Sequence, residues 1–153
     1  MVVGRPSEGR YDLVVVGGGI AGLSACETAV ESGARVCLVS GEDRIPYKRT
    51  KISKHLAVGF GRDDFAIKPR EWYGDHGITL LVDESITSLG TGGRSAETSG
   101  GRGIRWDSLV LATGGVVRTI PTWGAVERFH VVHTAADAER LRRSVAPEAT
   151  VLV

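Results

Sequence analysis

The stretch YDLVVVGGGIAG, residues 11–22, decides how the rest of this chain is read. Residues 13–16 are a short apolar, β-branched run, the pattern of a strand buried on both faces. Gly17, Gly19 and Gly22 follow as G-x-G-x-x-G, where a helix should begin. Each has a physical task. Gly17 permits the tight turn out of the strand, Gly19 lets an anionic group approach backbone that carries no Cβ, and Gly22 lets the helix lie close on the sheet. Ile20 and Ala21 open that helix. Its first N–H groups are unpaired and carry partial positive charge, a seat for a pyrophosphate. A glycine-rich turn alone is a weak signal. Here strand, glycines, helix (20–32) and second strand (36–39) come in order within one βαβ length, which favours a dinucleotide site over a plain turn.

Gly22, Cys26, Ala29 and Gly33 fall on one side of the helix, and so small a face allows close packing on a sheet. Gly33 is also the natural C-terminal stop. An acidic residue near the end of the second strand should meet a ribose hydroxyl. Ser40 occupies the usual place. Glu42, two residues later, is the candidate, and its alternative is a solvated loop carboxylate.

The 153 residues suffice for one core and hardly for two domains. A net charge of +1 implies no polyanion, so no nucleic-acid partner is expected. Hydrophobic content of 42% is ordinary for a globular chain. No apolar run approaches the roughly 20 residues that span a bilayer. The N-terminus lacks the apolar core of a signal peptide, so a cytoplasmic location is the default. Six of the 21 glycines lie between Gly90 and Gly103, which marks turns there. Cys26 and Cys37 sit mid-helix and mid-strand and read as buried apolar residues, not as a redox dithiol, nucleophile or metal ligand. No metal site is expected.

Residues 43–54 form a polar loop with five cations, Arg44, Lys48, Arg49, Lys51 and Lys54. Charge alone leaves open whether it serves a phosphate or only water. Residues 52–58 suit a short helix. Pro69 suits the first position of another, running through Trp72 and Tyr73, read as packing anchors, to a stop at Gly77. Residues 78–82 read as a third parallel strand. Segments 85–89, 94–98 and 103–106 read as a β-meander with GTGG and SGGRG as turns. Residues 108–112 read as a further buried strand ending in Thr113-Gly114-Gly115, where Thr113 either meets a ligand or simply turns. A short strand is expected at 131–132. Thr134 and Asp137 have capping-box spacing ahead of a helix with an apolar stripe of Ala135, Ala138, Leu141 and Val145, broken at Pro147. Residues 150–153, TVLV, open a new strand.

Four blocks together resemble the N-terminal FAD-binding part of the pyridine nucleotide-disulfide oxidoreductase-like flavoproteins. The likeness is to rubredoxin reductases, ferredoxin reductases of oxygenase systems and the flavin segment of nitrite reductases. The blocks are VVVGGGIAG, SGEDRIPYKRTKISK, WDSLVLATGG followed by Arg118 and Pro121, and VVHTAADAERLR. The resemblance implies FAD as cofactor and NAD(P)H as hydride donor, with an electron-acceptor protein or redox centre as partner. It implies that Gly17, Gly19, Ile20, Ala21 and Gly22 hold the pyrophosphate and Glu42 the adenosine ribose. Arg49 and Lys54 would lie by the FAD, Lys54 near the isoalloxazine ring as a tuning charge and Arg49 on phosphate. Ile86 would offer backbone groups to the adenine. Ala112, Thr113 and Gly114 would line the flavin cleft, with Arg118 nearby. His133 stands where the family usually has arginine. The cysteines do not match the redox disulfide of the glutathione-reductase branch.

The fold expected is therefore α/β: a Rossmann-like FAD-binding domain over 1–149, a parallel sheet with a β-meander crossover. It would be truncated at 150–153, the start of a missing NAD(P)-binding domain. The function expected is that of an FAD-binding fragment of an NAD(P)H-dependent oxidoreductase, inactive by itself. A non-catalytic nucleotide-binding fragment and a nicotinamide-dependent Rossmann dehydrogenase remain the alternatives.

Overall fold

The computed structural model describes residues 2–3, 9–126, 129–146 and 149–150. Its strands are β1 (Val2–Val3), β2 (Gly9–Val16), β3 (Val36–Ser40), β4 (Thr79–Val82), β5 (Ile86–Gly90), β6 (Ser95–Thr98) and β7 (Gly103–Leu111). They form one sheet in the order β1-β4-β3-β2-β7-β6-β5. The four strands β4, β3, β2 and β7 run parallel, and β5, β6 and β7 form the expected antiparallel meander. Helix α1 (Ile20–Glu31) is the first crossover and α2 (Arg70–Asp75) precedes β4. The helix α3 (Ala135–Ser144) comes last. The chain divides into two compact units, Met1–Tyr47 with Ala66–Gly114, and Lys48–Phe65 with Gly115–Val153.

In the first unit burial is deepest at β3 and β4. Every residue of β3 and of β4 is buried. Alternation sends Val36 and Leu38 to one face, with Val15, Leu23, Cys26, Tyr73, Leu80 and Val82. It sends Cys37 and Val39 to the other, with Tyr11, Val14, Leu81, Ala96, Ile104 and Trp106. The meander thus supplies three of the side chains that close the second face.

Segments 103–106 and 108–112, expected as separate strands, are the single strand β7. The correction has a clear cause. Strand β2 pairs with β7 along its length, from Gly9↔Ile104 to Val16↔Leu111. Asp107, which looked like a break, stays in the strand because its carboxylate is exposed and takes the Arg10 guanidinium. Strand β1, paired antiparallel with β4, had no signal in the sequence reading.

Helix α1 buries Gly22, Leu23 and Cys26. Ala29 is half-buried, but Gly33 is exposed, with a φ of +80°. It therefore ends the helix, and Leu23 completes the packing face in its place. Pro69 is the N-cap of α2 and not its first residue, so the helix starts one position later than expected. Gly77, at φ +68°, follows it as the stop. Trp72 and Tyr73 are the packing anchors expected: Trp72 stacks on His76 at 4.3 Å, and Tyr73 is fully buried.

The Tyr73 hydroxyl has no hydrogen-bond partner in that core. A buried hydroxyl without a partner forfeits its hydration and gains nothing for it. Tyr73→Phe, which removes only that oxygen, is expected to stabilise the chain by about 1 kcal/mol. Urea denaturation checks this, and a loss of similar size would mean that the hydroxyl is satisfied in solution.

In the second unit the helix expected at 52–58 is two 3-10 turns, Arg49–Lys51 and Ser53–His55. Only Ile52 is buried between residues 48 and 58, so no apolar stripe supports a full helix. No strand forms at 131–132. That segment instead leads into the helix cap: Asp137 N–H donates to Thr134 Oγ1 at 3.2 Å, and Thr134 N–H donates to Asp137 Oδ2 at 2.8 Å. Burial works against the charge on Asp137, but the hydrogen bonds from Thr134, His133 and Arg140 outweigh it and hold the carboxyl below its usual range. Ala135 and Ala138 are buried as expected and Leu141 is half-buried. Val145 is the C-cap and is 38% exposed, so it does not belong to the stripe. Pro147 and residues 151–153 of the expected TVLV strand lie outside the described residues. Among the described residues no helix is long and apolar enough to cross a membrane.

Candidate functional site

The glycine loop is built where three parallel strands end. Gly17 N–H donates to the Val39 carbonyl at 2.8 Å, and Ala112 N–H donates to the Val16 carbonyl at 2.8 Å. The ends of β3, β2 and β7 are thus tied together under the loop. Gly17 takes a φ of +121°, and a Cβ there would lie 2.1 Å from the Ala112 oxygen. A Cβ on Gly22 would lie 2.0 Å from the Gly17 oxygen, so the helix rests directly on the turn. Gly19 is different in kind: nothing lies within 4 Å of the place a Cβ would take. Its φ is −82°, which any residue adopts. Gly17 and Gly22 are therefore required by the fold, while Gly19 keeps space clear above it.

That space adjoins the N-terminus of α1. Gly19 is the N-cap, no side chain caps the helix, and its first turn holds no acidic residue. Ile20 and Ala21 are exposed there. Unpaired N–H groups and the positive end of a 12-residue helix face clear space, which fits a pyrophosphate.

Gly18, the middle glycine, is also constrained. A Cβ on it would lie 2.5 Å from Ser40 Oγ, so Ser40 is packed beneath the loop. Glu42 is half-buried, its carbonyl accepts from Asp83 N–H at 2.8 Å, and its Oε2 accepts from Tyr47 Oη at 2.6 Å. The next turn carries Glu84, a buried carboxylate that accepts from Thr98 Oγ1 at 2.6 Å and Arg102 Nε at 2.9 Å. This clamp fixes the entry into β5, where Ile86 pairs with Thr98. Ala112, Thr113 and Gly114 follow β7, and Gly114 has a φ of +71°.

Residues 17–22, 40–42, 84–86 and 112–114 all follow the C-terminal ends of the parallel strands, the edge at which open α/β sheets bind ligands. The structure thus brings the predicted Gly17, Gly19, Ile20, Ala21, Gly22, Glu42, Ile86, Ala112, Thr113 and Gly114 to one end of one unit. An open concavity of about 700 Å³ lies at the opposite end, by the starts of β2 and β7. None of the predicted site residues lines it. Arg49, Lys54 and Arg118 belong to the second unit and are exposed there. Arg49 Nη1 donates to the His133 carbonyl at 3.0 Å.

Residues 11–153 match the family described as pyridine nucleotide-disulphide oxidoreductase. The chain belongs to that family. It is 31% identical to rhodocoxin reductase of Rhodococcus erythropolis over 145 residues, which is 92% of this chain and 34% of that protein. It is 32% identical over 144 residues to the ferredoxin reductase subunit of 5,5'-dehydrodivanillate O-demethylase from a Sphingobium species, covering 92% of this chain and 35% of the relative. The crystal structure of the covalent putidaredoxin reductase–putidaredoxin complex superposes with a TM-score of 0.74 at 30% identity, covering 87% of this chain and 34% of that one. The chain spans about a third of the length of these relatives. The sheet, its meander and the glycine loop are the Rossmann-like FAD-binding fold of these reductases. Members of the pyridine nucleotide-disulphide oxidoreductase family work with FAD and NAD(P)H.

The family name raises the question of the two thiols. Cys26 and Cys37 are unlinked and fully buried, and they point to opposite faces of the sheet. Burial, with a smaller push from Glu27, raises the Cys26 thiol to about 12. Burial, with Cys26 next, raises Cys37 to about 12. Neither is a thiolate at neutral pH, as the reading of both as apolar residues requires.

An unfolded thiol ionises near about 8.5. Between there and the folded value the native state binds more protons than the unfolded state. The thiols' contribution to stability is therefore complete below about pH 8.5 and falls as pH rises, by up to about 1.4 kcal/mol per pH unit per thiol. Replacing both by Ser is expected to flatten the decline measured by urea titration between about pH 8.5 and 10.5. An unaltered slope would mean that the thiols do not titrate differently in the two states.

Proposed function

We propose that the chain is the FAD-holding part of an NAD(P)H-dependent flavoprotein reductase that passes electrons to a small redox protein of the ferredoxin or rubredoxin kind. One observation carries the reading: clear space above Gly19, at the uncapped N-terminus of α1, with the tethered carboxylate of Glu42 at the same strand ends. Such a site takes a pyrophosphate and an adenosine ribose. The bound flavin supplies the redox chemistry, accepting hydride from a nicotinamide and releasing electrons onward. The chain's own residues bind and orient. The N–H groups at Ile20 and Ala21 hold phosphate, Glu42 takes ribose hydroxyls, and Ile86 offers its backbone to the adenine. Ala112, Thr113 and Gly114 line the flavin side.

By resemblance, Arg49 and Lys54 add positive charge along the cofactor, with Lys54 by the flavin ring and Arg118 nearby. Arginine forks onto anionic oxygens, whereas lysine is a compact point charge suited to tuning a potential. Residues 1–149 are proposed as the FAD domain and 150–153 as the start of an NAD(P)-binding domain. A cytoplasmic location fits this role. The names of the relatives, two of them reductases with a redox-protein partner in their description, support the acceptor class.

Titration of the apo chain with FAD and FMN, followed by flavin fluorescence, tests the reading. Saturable binding of FAD with much weaker binding of FMN is expected, because only FAD carries the adenosine and second phosphate. Equal binding of both, or of neither, would overturn it. NAD+ binding in preference to FAD would favour the dehydrogenase alternative.

A further inference from the structure

We propose that Tyr47 is a positioning residue for nucleotide binding, its phenol holding the Glu42 carboxylate where it receives the ribose hydroxyls of an adenosine diphosphate group. This rests on the reading of Glu42 as the ribose-binding acid.

Glu42 stands in a connection, not in a strand, two residues after Ser40, which lies against Gly18. A glutamate in a loop samples many rotamers, and ordering it when the ligand arrives weakens binding. The chain after Glu42 removes that freedom. Ile45 and Pro46 turn inward and are fully buried, and Pro46 Cγ lies 3.7 Å from where a Gly18 Cβ would be. The fold-back is tied from the other side by a bridge between Tyr47 and Ala66 and by Ile67 N–H donating to the Pro46 carbonyl at 2.9 Å.

Tyr47 is then only 7% exposed, with the Arg44 guanidinium carbon 6.0 Å from its ring centre. A ring with two side-chain torsions, buried on this scale, is a rigid arm. Its hydroxyl donates to Glu42 Oε2 at 2.6 Å, the short range of a charge-assisted bond. The Glu42 carbonyl is held independently by Asp83 N–H. Backbone and carboxylate are thus both fixed before any ligand binds. A merely satisfied tyrosine hydroxyl would show the same bond, so the distinction lies in what the ligand feels.

Calorimetric titration of the full chain with ADP and with inorganic pyrophosphate separates the two. Tyr47→Phe is expected to weaken ADP about tenfold, equivalent to about 1.4 kcal/mol, and to leave pyrophosphate unchanged. In a Glu42→Ala background the same substitution should cause no further loss, because the group through which Tyr47 acts is gone. Glu42→Asp keeps the tyrosine but withdraws the carboxylate from its reach, and it should show the same ADP-selective loss. Unchanged ADP affinity in Tyr47→Phe, an equal loss of ADP and pyrophosphate, or a full additional loss on Glu42→Ala would each overturn the proposal. Failure of the underlying reading looks different: the unmodified chain would bind neither ligand, and both would fall together.

Discussion

Gly19→Val is expected to weaken FAD binding by about a hundredfold or more while changing the stability of the chain by less than about 1 kcal/mol. The two halves of this result come from one observation. Apart from its own chain neighbours, no atom lies within 4 Å of the position its Cβ would take, and its backbone is extended. The valine therefore has room for its Cβ and incurs the modest cost of an N-cap with no hydrogen-bonding group. Its methyl groups occupy the space over the helix N-terminus, which is where a pyrophosphate must come close to backbone N–H groups. Denaturation and flavin titration on the same preparation read both quantities. Unchanged affinity would remove the pyrophosphate from this loop.

Gly22→Ala is expected to do the reverse and to destabilise the chain by about 3 kcal/mol or more. Helix propensity alone predicts the opposite sign, since alanine in a helix interior is better than glycine by roughly 1 kcal/mol. Packing decides it. The new methyl would sit 2.0 Å from the Gly17 oxygen and 3.2 Å from Val15 Cγ1. The first obstacle is backbone, fixed by the hydrogen bond of Gly17 N–H to Val39. Either α1 lifts from the strand or the loop deforms, and each loosens the core around Leu23 and Cys26. Against a typical total of about 5–15 kcal/mol, this is a large fraction. A Gly22→Ala variant as stable as the parent in urea would show that the helix does not rest on the turn.

What could be read from the sequence was whatever depends on near neighbours along the chain. The β2–loop–α1–β3 unit carries its own pattern of β-branched run, spaced glycines and small-residue face. The Thr134–Asp137 cap is likewise written within four residues and is present. The misreadings depend on distant partners. Segments 103–106 and 108–112 read apart around Asp107, but β2 pairs with β7 on both sides of it. Residues 52–58 had the right composition for a helix but no buried face to reward one. Val131 and Val132 are β-branched yet find no strand to pair with.

The site divides in the same way. Gly17, Gly19, Gly22 and Glu42 could be named from spacing. That Ser40 lies against Gly18, and that Tyr47 returns to Glu42 across four intervening residues, could not. Three consecutive glycines were the available hint of the first. The aromatic residue after Pro46 was the available hint of the second, but only the buried fold-back gives it a partner.

The loop at Gly17–Gly22 and the carboxylate at Glu42 are expected to receive a nucleoside diphosphate together. Amide chemical shifts of the ¹⁵N-labelled chain, followed as ADP is added, test it most directly. The account predicts the largest, saturable shifts at Gly19, Ile20 and Ala21, with a second group at Gly41 and Glu42. Gly33 and Gly77, the helix stops, should be unmoved. Shifts absent from residues 17–22, or concentrated at the concavity beside Gly9 and Arg105, would contradict it.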